Sequence, residues 1–161
     1  MPILNSDELI PVNFQPILTN RFILYVDGLP SFTIRSVDGI GWEDTEVTIF
    51  YINNYFKARG RRMYNDITLS LYDPIAPSVA EGLEAWGLMG HELLSGRDGY
   101  QDFVNKDLTM NILGPSGDIV REWIIKAAFP KTVKYGSFTY DNAEMTTIDM
   151  TLANSGIVLN Y

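Results

Sequence analysis

Residues 112–133 read ILGPSGDIVREWIIKAAFPKTV and contain the clearest structural signal in the chain. Pro115 suits the first central position of a turn, because its ring fixes φ near the value that the turn requires. Gly117 tolerates the positive φ that such turns often need. The segments on either side of these two residues are therefore predicted to pair as a hairpin.

The second half of this stretch alternates in the manner of a strand with one buried face. Trp123, Ile125 and Ala127 are predicted to pack inside. The opposite face would carry Val120, Glu122, Ile124 and Lys126. Pro130 has no backbone N–H to donate to a sheet, so the strand is predicted to stop there.

The same alternation recurs outward from this hairpin in both directions. Apolar residues occupy every second position in RFILYVDG, EVTIFY, DITLSLY, DLTMNIL and TTIDMTL. Residues that favour turns fall between these runs, including Asp27-Gly28 and Asp141-Asn142. The chain is therefore predicted to be mainly β.

Residues 77–93, PSVAEGLEAWGLMGHEL, depart from this pattern and predict one amphipathic helix at about 74–92. The apolar residues at helical spacing are Val79, Leu83, Trp86 and Leu93. Ser78 followed by Glu81 has the spacing of a capping box. The range allows two starts, one directly after Ser78 and an earlier one at Pro74, because proline is favoured in the first turn of a helix.

Residues 53–66, NNYFKARGRRMYND, are interpreted as a long loop between two strands. Its basic residues are Lys57, Arg59, Arg61 and Arg62. The aromatic residues Tyr55 and Phe56 argue against disorder. In an acidic chain, such a basic segment finds a complementary surface on another copy, and a head-to-tail contact of this kind propagates into rings or filaments. A solvated, mobile loop is the alternative.

Length and composition limit the possible classes of protein. A chain of 161 residues fits a single domain, residues 1–161. The formal charge of −8 argues against a surface that wraps nucleic acid or docks on anionic lipid. The sequence has no cysteine, which excludes disulfides and thiolate metal sites. Without an apolar run of the ~18–20 residues that a membrane span needs, the chain is expected to be soluble and made in the cytoplasm.

Catalysis finds little support in the sequence. The single histidine, His91, lies near the predicted end of the helix, where a cation interacts favourably with the helix dipole. We find no nucleophile elbow, phosphate-binding loop or metal-ligand spacing. Carboxylates such as Asp44, Glu46 and Asp149 are expected to belong to solvated sheet faces. The chain is therefore predicted not to be an enzyme, with no metal site and no cofactor.

Taken in order, these segments resemble the tail tube proteins of contractile-tailed bacteriophages and related contractile injection systems. RFILYVDG and SFTIRSVDGIGWEDTEV resemble the family's opening strands, and YFKARGRRMYNDITLSLYD resembles its long inter-strand loop. LEAWGLM resembles its single helix with an inward Trp, and residues 107–133 resemble its closing hairpin. EMTTIDMTLANSGIVL resembles the final strand, whereas GRDGYQDFVNK after the helix departs from the family pattern.

The resemblance implies a mainly β fold, a two-sheet β-sandwich or barrel-like domain with one flanking α-helix that forms rings. Hexameric rings would stack into the inner tail tube of a virion, assembled in the host cytoplasm without a membrane partner. The implied partners are further copies of the chain, a sheath protein, a baseplate initiator and a tail terminator. DNA or effectors would pass through the lumen without specific binding.

The resemblance also implies roles for particular residues. The ring-stacking segment would comprise Tyr55, Phe56, Lys57, Arg59, Arg61 and Arg62. Carboxylates lining the lumen would repel DNA phosphates, so that the polymer passes without sticking. The candidate lumen acids are Glu43, Asp44, Glu46, Asp118 and Glu122. The expected core anchors are Trp86, Trp123 and Phe129.

Other hypotheses remain open from the sequence. Within the same fold, the chain could be a tube-initiating baseplate protein or a type VI secretion tube protein. In a different class, it could be a monomeric β-barrel that binds a small ligand. The monomeric barrel predicts a stable monomer with an interior cavity, whereas the tube hypothesis predicts rings or filaments.

Overall fold

A computed structural model describes residues 14–161, and within that range the chain forms nine strands, two α-helices and a short 3-10 turn. The strands are β1 (Phe22–Tyr25), β2 (Ile34–Asp38), β3 (Trp42–Tyr51), β4 (Asn54–Tyr64), β5 (Ile67–Tyr72), β6 (Lys106–Leu113), β7 (Ile119–Lys134), β8 (Thr147–Ala153) and β9 (Gly156–Leu159). The helices are α1 (Val79–Leu88) and α2 (Gln101–Val104), and the 3-10 turn is Ser31–Thr33. The prediction of a mainly β chain is confirmed.

Seven strands form two antiparallel layers that share β7. The first half of β7 lies between β6 and β9, with β1 beyond β6. The second half pairs with β8, which is followed by β5 and β2. Side chains of both layers meet in one core, which includes Leu24, Leu69, Leu108, Ile125 and Met150. The predicted two-sheet sandwich is therefore confirmed.

The turn between β6 and β7 has the predicted geometry. The backbone N–H of Gly114 donates to the carbonyl of Asp118 at 2.8 Å, and the N–H of Gly117 donates to the carbonyl of Gly114 at 3.1 Å. Gly117 has a φ of 82°, which costs glycine little. The turn therefore joins β6 and β7 as the hairpin expected from the sequence.

Strand β7 does not stop at Pro130, contrary to the prediction. Ala127 has a φ of 51°, in the left-handed region, and the register between β6 and β7 shifts near it. This irregularity reverses the alternation, so that Ala128 rather than Ala127 is fully buried. The register with β8 shifts again just after Pro130. Because sheets tolerate proline at bulges, the strand passes through this point into the second layer.

The three expected core anchors differ in their burial. Trp86 is 1% exposed and belongs to the core. Trp123 is half-buried and packs against the core from β7. Phe129 is half-buried and lines a surface cavity of about 450 Å³ instead of lying in the core. The bulge gives the buried position to Ala128, which explains why Phe129 lies at the edge.

Helix α1 is shorter than the predicted range of about 74–92. The Ser78 hydroxyl accepts the N–H of Glu81 at 3.4 Å, so the helix begins directly after this cap. The predicted earlier start at Pro74 is wrong, because α1 begins at Val79. The buried face carries Val79, Leu83 and Trp86. The helix ends at Leu88, and Leu93 lies beyond it with 82% of its surface exposed.

Two side-chain hydrogen bonds fix α1 against the rest of the domain. The indole Nε1 of Trp86 donates to the carbonyl of Val104 at 2.6 Å. The hydroxyl of Tyr135, just after β7, donates to Glu84. Burial, together with this hydrogen bond, raises the pKa of Tyr135 to about 12. These tertiary contacts offset the helix-destabilising effect of Gly82 and Gly87, the two glycines of α1.

Candidate functional site

The prediction of a loop at residues 53–66 is wrong, because Asn54–Tyr64 forms β4 and pairs with β3 along its length. We call residues 42–64 the β3–β4 hairpin. It forms a separate two-stranded sheet, and Tyr64 at its base packs against the core. The basic segment is therefore held in an extended and ordered conformation.

Large apolar side chains are exposed on both faces of the β3–β4 hairpin. They are Trp42, Val47, Ile49, Phe50, Tyr51, Ile52, Tyr55, Phe56 and Met63. A two-stranded hairpin alone is at best marginally stable in water, and exposed apolar patches of this extent mark interaction surfaces. The hairpin is therefore suited to burial against another molecule.

One cluster at the base of the hairpin joins the two strands. Arg62 donates two hydrogen bonds to Asp44, from Nε to Oδ1 at 2.7 Å and from Nη2 to Oδ2 at 3.0 Å. The guanidinium carbon of Arg62 also lies 3.7 Å from the centre of the Trp42 ring. The hydrogen bond from Arg62 lowers the pKa of Asp44. This paired and stacked arrangement fixes the register at the base.

The predicted stacking residues fall into two groups. Lys57 forms an ion pair with Glu46 at 3.0 Å, and Arg62 is occupied by Asp44. Arg59 lies 3.9 Å from Asp44 and its side chain is 74% exposed. Arg61 forms no ion pair with any of residues 14–161. The positive charge available to another molecule therefore lies mainly on Arg59 and Arg61.

A bulge divides the hairpin into an inner and an outer half. The register shifts between Asp44 and Glu46, and the hydroxyl of Thr45 accepts the N–H of Arg61 at 2.9 Å. A Cβ at Gly60 would lie 2.4 Å from the Thr45 hydroxyl and 2.9 Å from its carbonyl oxygen, so only glycine fits. Bulges of this kind bend a ribbon and aim its outer part.

The tip of the hairpin is a two-residue turn, Ile52-Asn53, between the paired residues Tyr51 and Asn54. Ile52 has a φ of 52° and is 84% exposed. This residue was not identified from the sequence. Asn53 and Asn54 are residues that favour a tight turn, and the neighbouring Ile52 is unusual in such a turn, so a signal was present.

The five candidate lumen acids lie on two separate hairpins. Glu43, Asp44 and Glu46 belong to β3, whereas Asp118 lies in the β6–β7 turn and Glu122 on β7. Asp44 and Glu46 are already paired with bases of their own chain. A hydrogen bond to Glu122 raises the pKa of Tyr161. Three of the five acids therefore belong to the β3–β4 hairpin and two to the β6–β7 hairpin.

Residues 14–161 contain no group of three or more side chains arranged to hold a metal ion. His91 lies beyond the end of α1, and its Nδ1 is 2.6 Å from Oδ1 of Asp98 at the surface. Among the described helices, none has the length and apolar character to cross a membrane.

Comparison with solved structures identifies the fold. The chain is similar to a subunit of an extracellular contractile injection system, the PVC sheath–tube complex in its extended state, with 21% identity, coverage of 98% of this chain and 99% of that one, and a TM-score of 0.73. It is also similar to the tube-terminating cap of the anti-feeding prophage, with 20% identity, coverage of 97% and 99%, and a TM-score of 0.75.

A more distant similarity is to Hcp1 from Flavobacterium johnsoniae, with 13% identity, coverage of 87% and 94%, and a TM-score of 0.54. No protein-family model matches the sequence. No curated protein matches it either. The chain therefore has the fold of tube and tube-terminating subunits of contractile injection systems, and the resemblance inferred from its segments is confirmed at the level of the fold.

Proposed function

We propose that the chain is a structural subunit of the inner tube of a contractile injection system and acts without catalysis. The observation that carries this proposal is the β3–β4 hairpin, whose exposed apolar faces are suited to burial against a partner. The hairpin belongs to a domain that has the fold of tube subunits. In the proposed assembly, six copies form a ring and rings stack into a hollow tube.

The hairpin is the proposed stacking element. Arg59 and Arg61 supply positive charge to the next ring, and Tyr55 and Phe56 supply apolar area. Lys57 and Arg62 act differently, because they hold the hairpin in shape through ion pairs with β3. We propose this division in place of the initial expectation that all four bases reach across to a neighbour.

The proposed conduit carries DNA or effectors past carboxylates that face the lumen. Glu43, Asp118 and Glu122 form no ion pair with another residue of the described range, so they are the better candidates for this lining. Asp44 and Glu46 contribute less, because neighbouring bases offset their charge. The proposed partners are a sheath protein, a baseplate initiator and a terminator in a phage tail or a phage-like particle, since similar structures include a tube cap and a baseplate.

The test is negative-stain electron microscopy of the purified protein over a concentration series, with mass photometry on the same samples. We expect hexameric rings of the 18.2 kDa chain and hollow tubes at higher concentration. Rings that never stack would instead identify a subunit for one end of the tube, such as a cap. A monomer at every concentration would contradict the proposal and direct attention to a ligand-binding domain.

A further inference from the structure

The tip of the β3–β4 hairpin combines an exposed apolar side chain with an unfavourable backbone conformation. Ile52 is 84% exposed and has a φ of 52°. A β-branched residue is an outlier in this region, where Asn or Gly would serve a tight turn better. Neither turn formation nor solubility favours isoleucine here. Outliers of this kind persist where the side chain itself has a use.

An apolar surface pocket elsewhere on the domain has a complementary character. The pocket measures about 470 Å³ and is lined by Phe32, Thr33, Tyr72, Pro74 and Met145. Phe32 is 74% exposed and Met145 is 69% exposed. The pocket therefore offers an open apolar surface large enough for an isoleucine side chain, and the tip does not occupy it within the same copy.

Charge favours a contact between the hairpin and another copy of the same chain. The hairpin holds four of the twelve bases and three of the twenty acids, so its formal charge is +1, and the remaining eight bases and seventeen acids give −9. Asp73 and Glu144 are the chain neighbours of the pocket residues Pro74 and Met145. Arg35 also borders the pocket, with its guanidinium carbon 5.9 Å from the centre of the Tyr72 ring, so the attraction is between the positive hairpin and the acidic body of the second copy as a whole.

We propose that Ile52 is the anchor of the hairpin and docks into this pocket of a second copy, while Arg59 and Arg61, further along β4, face the acidic body of that copy. The inference rests on the proposed tube function and names the surface that receives the hairpin. It assigns most of the binding energy of the contact to one apolar residue that fills a pocket, as in many protein interfaces where a few anchor residues contribute most of the affinity.

Disulfide trapping tests the proposal, because the natural chain has no cysteine. Ile52→Cys and Met145→Cys variants with tags of different size are mixed at assembling concentrations and oxidised, so a mixed dimer can form only between copies. The control pairs Ile52→Cys with Leu94→Cys, a residue that is 96% exposed after α1. We expect at least ten times more mixed dimer with Met145→Cys. Equal yields would overturn the proposed pocket.

Electron microscopy of the same mixtures separates this proposal from the tube proposal. Tubes without preferential trapping at Met145 would overturn the pocket and leave the tube function standing. Preferential trapping without tubes would support the docking and count against the tube. The absence of both would count against both.

A second variant removes the anchor without disturbing the fold. Ile52→Gly relieves the left-handed conformation, so the hairpin should open less often and resist proteolysis better. The same change should raise the concentration required for stacking at least tenfold. Because the two expected effects have opposite signs, misfolding cannot explain them together. Unchanged stacking would overturn the anchor role, and Asn53→Ala in the same turn serves as the control.

Discussion

At the scale of single residues, Asp107 and Ala127 determine the course of β7. The carboxylate of Asp107 accepts the N–H of Ala127 at 3.0 Å and pairs with Lys126 at 2.9 Å. The hydrogen bond from Ala127, with that from Lys126, lowers the pKa of Asp107. One carboxylate on β6 therefore holds the bulge that moves β7 from one layer to the other.

Ala127→Gly should stabilise the protein. Alanine at a φ of 51° is strained, and glycine relieves a strain of about 1 kcal/mol. The greater conformational entropy of glycine in the unfolded chain offsets part of this gain. Urea denaturation followed by circular dichroism measures the change. Ala128→Gly is the matched control, and it should destabilise because this neighbour is fully buried. A loss of stability with Ala127→Gly would show that the bulge needs the methyl group.

Asp107→Asn should weaken the protein in a pH-dependent way. Asparagine keeps an acceptor oxygen and loses the charge. Because folding lowers the pKa of Asp107, its stabilisation is present above about pH 4, the usual unfolded value, and is lost as the pH falls. The unfolding free energies of the natural protein and the variant should therefore differ at pH 7 and converge in acid. A constant difference between pH 7 and pH 3 would contradict this role of the charge.

At the scale of elements, prediction from sequence succeeded where one face of a strand is buried. Leu69 and Leu71 on β5, and Ile148 and Met150 on β8, alternate with polar residues because only one side faces the core. Strand β4 is exposed on both faces, so its apolar residues do not alternate with polar ones. The segment around Lys57, Arg59 and Arg61 therefore gave no sequence signal for a strand. The positive φ of Ala127 could not be predicted either, because alanine is not a residue that signals a turn or a bulge.

Gly60→Ala should disrupt the β3–β4 hairpin, because the added Cβ would meet the Thr45 hydroxyl at 2.4 Å. We expect unchanged core stability with faster proteolysis of the hairpin and loss of stacking. Gly87→Ala is the control, since nothing lies within 4 Å of its added Cβ in α1. That change should stabilise by about 0.5–1 kcal/mol. Normal stacking of Gly60→Ala would show that the bulge is dispensable.

At the scale of the whole molecule, the order of the segments predicted the fold, including the sandwich and its helix. The location of the site could be predicted only in part. The segment containing Arg59 and Arg61 was identified from its charge. Its pairing with β3 was not predicted, because this pairing depends on the partner strand and not on a pattern within the segment. Which acids face the proposed lumen depends on how neighbouring copies are placed, and this is not encoded in the pattern of a single chain.

Arg61→Glu should separate stacking from folding. Arg61 has no ion pair among residues 14–161, so the change should alter stability by less than about 0.5 kcal/mol. Stacking should require a higher protein concentration, and stacking of the natural protein should weaken as salt rises. Light scattering across a salt series measures both effects.

Arg62→Glu provides the contrast, because it places a second carboxylate opposite Asp44 and should loosen the hairpin itself. Protease sensitivity of the hairpin distinguishes the two variants. If Arg61→Glu stacks like the natural protein at every salt concentration, this arginine does not contact the next ring.

The sharing of β7 between the two layers determines how the domain opens. Separating either layer breaks backbone hydrogen bonds of the same strand, so the two layers form one cooperative unit. Their slowest amide protons should exchange with solvent only when the whole domain unfolds. The β3–β4 hairpin shares no ladder with this unit and can open alone. A free subunit would thus keep its body closed while the hairpin samples open conformations, and assembly would protect the amides of the hairpin from exchange.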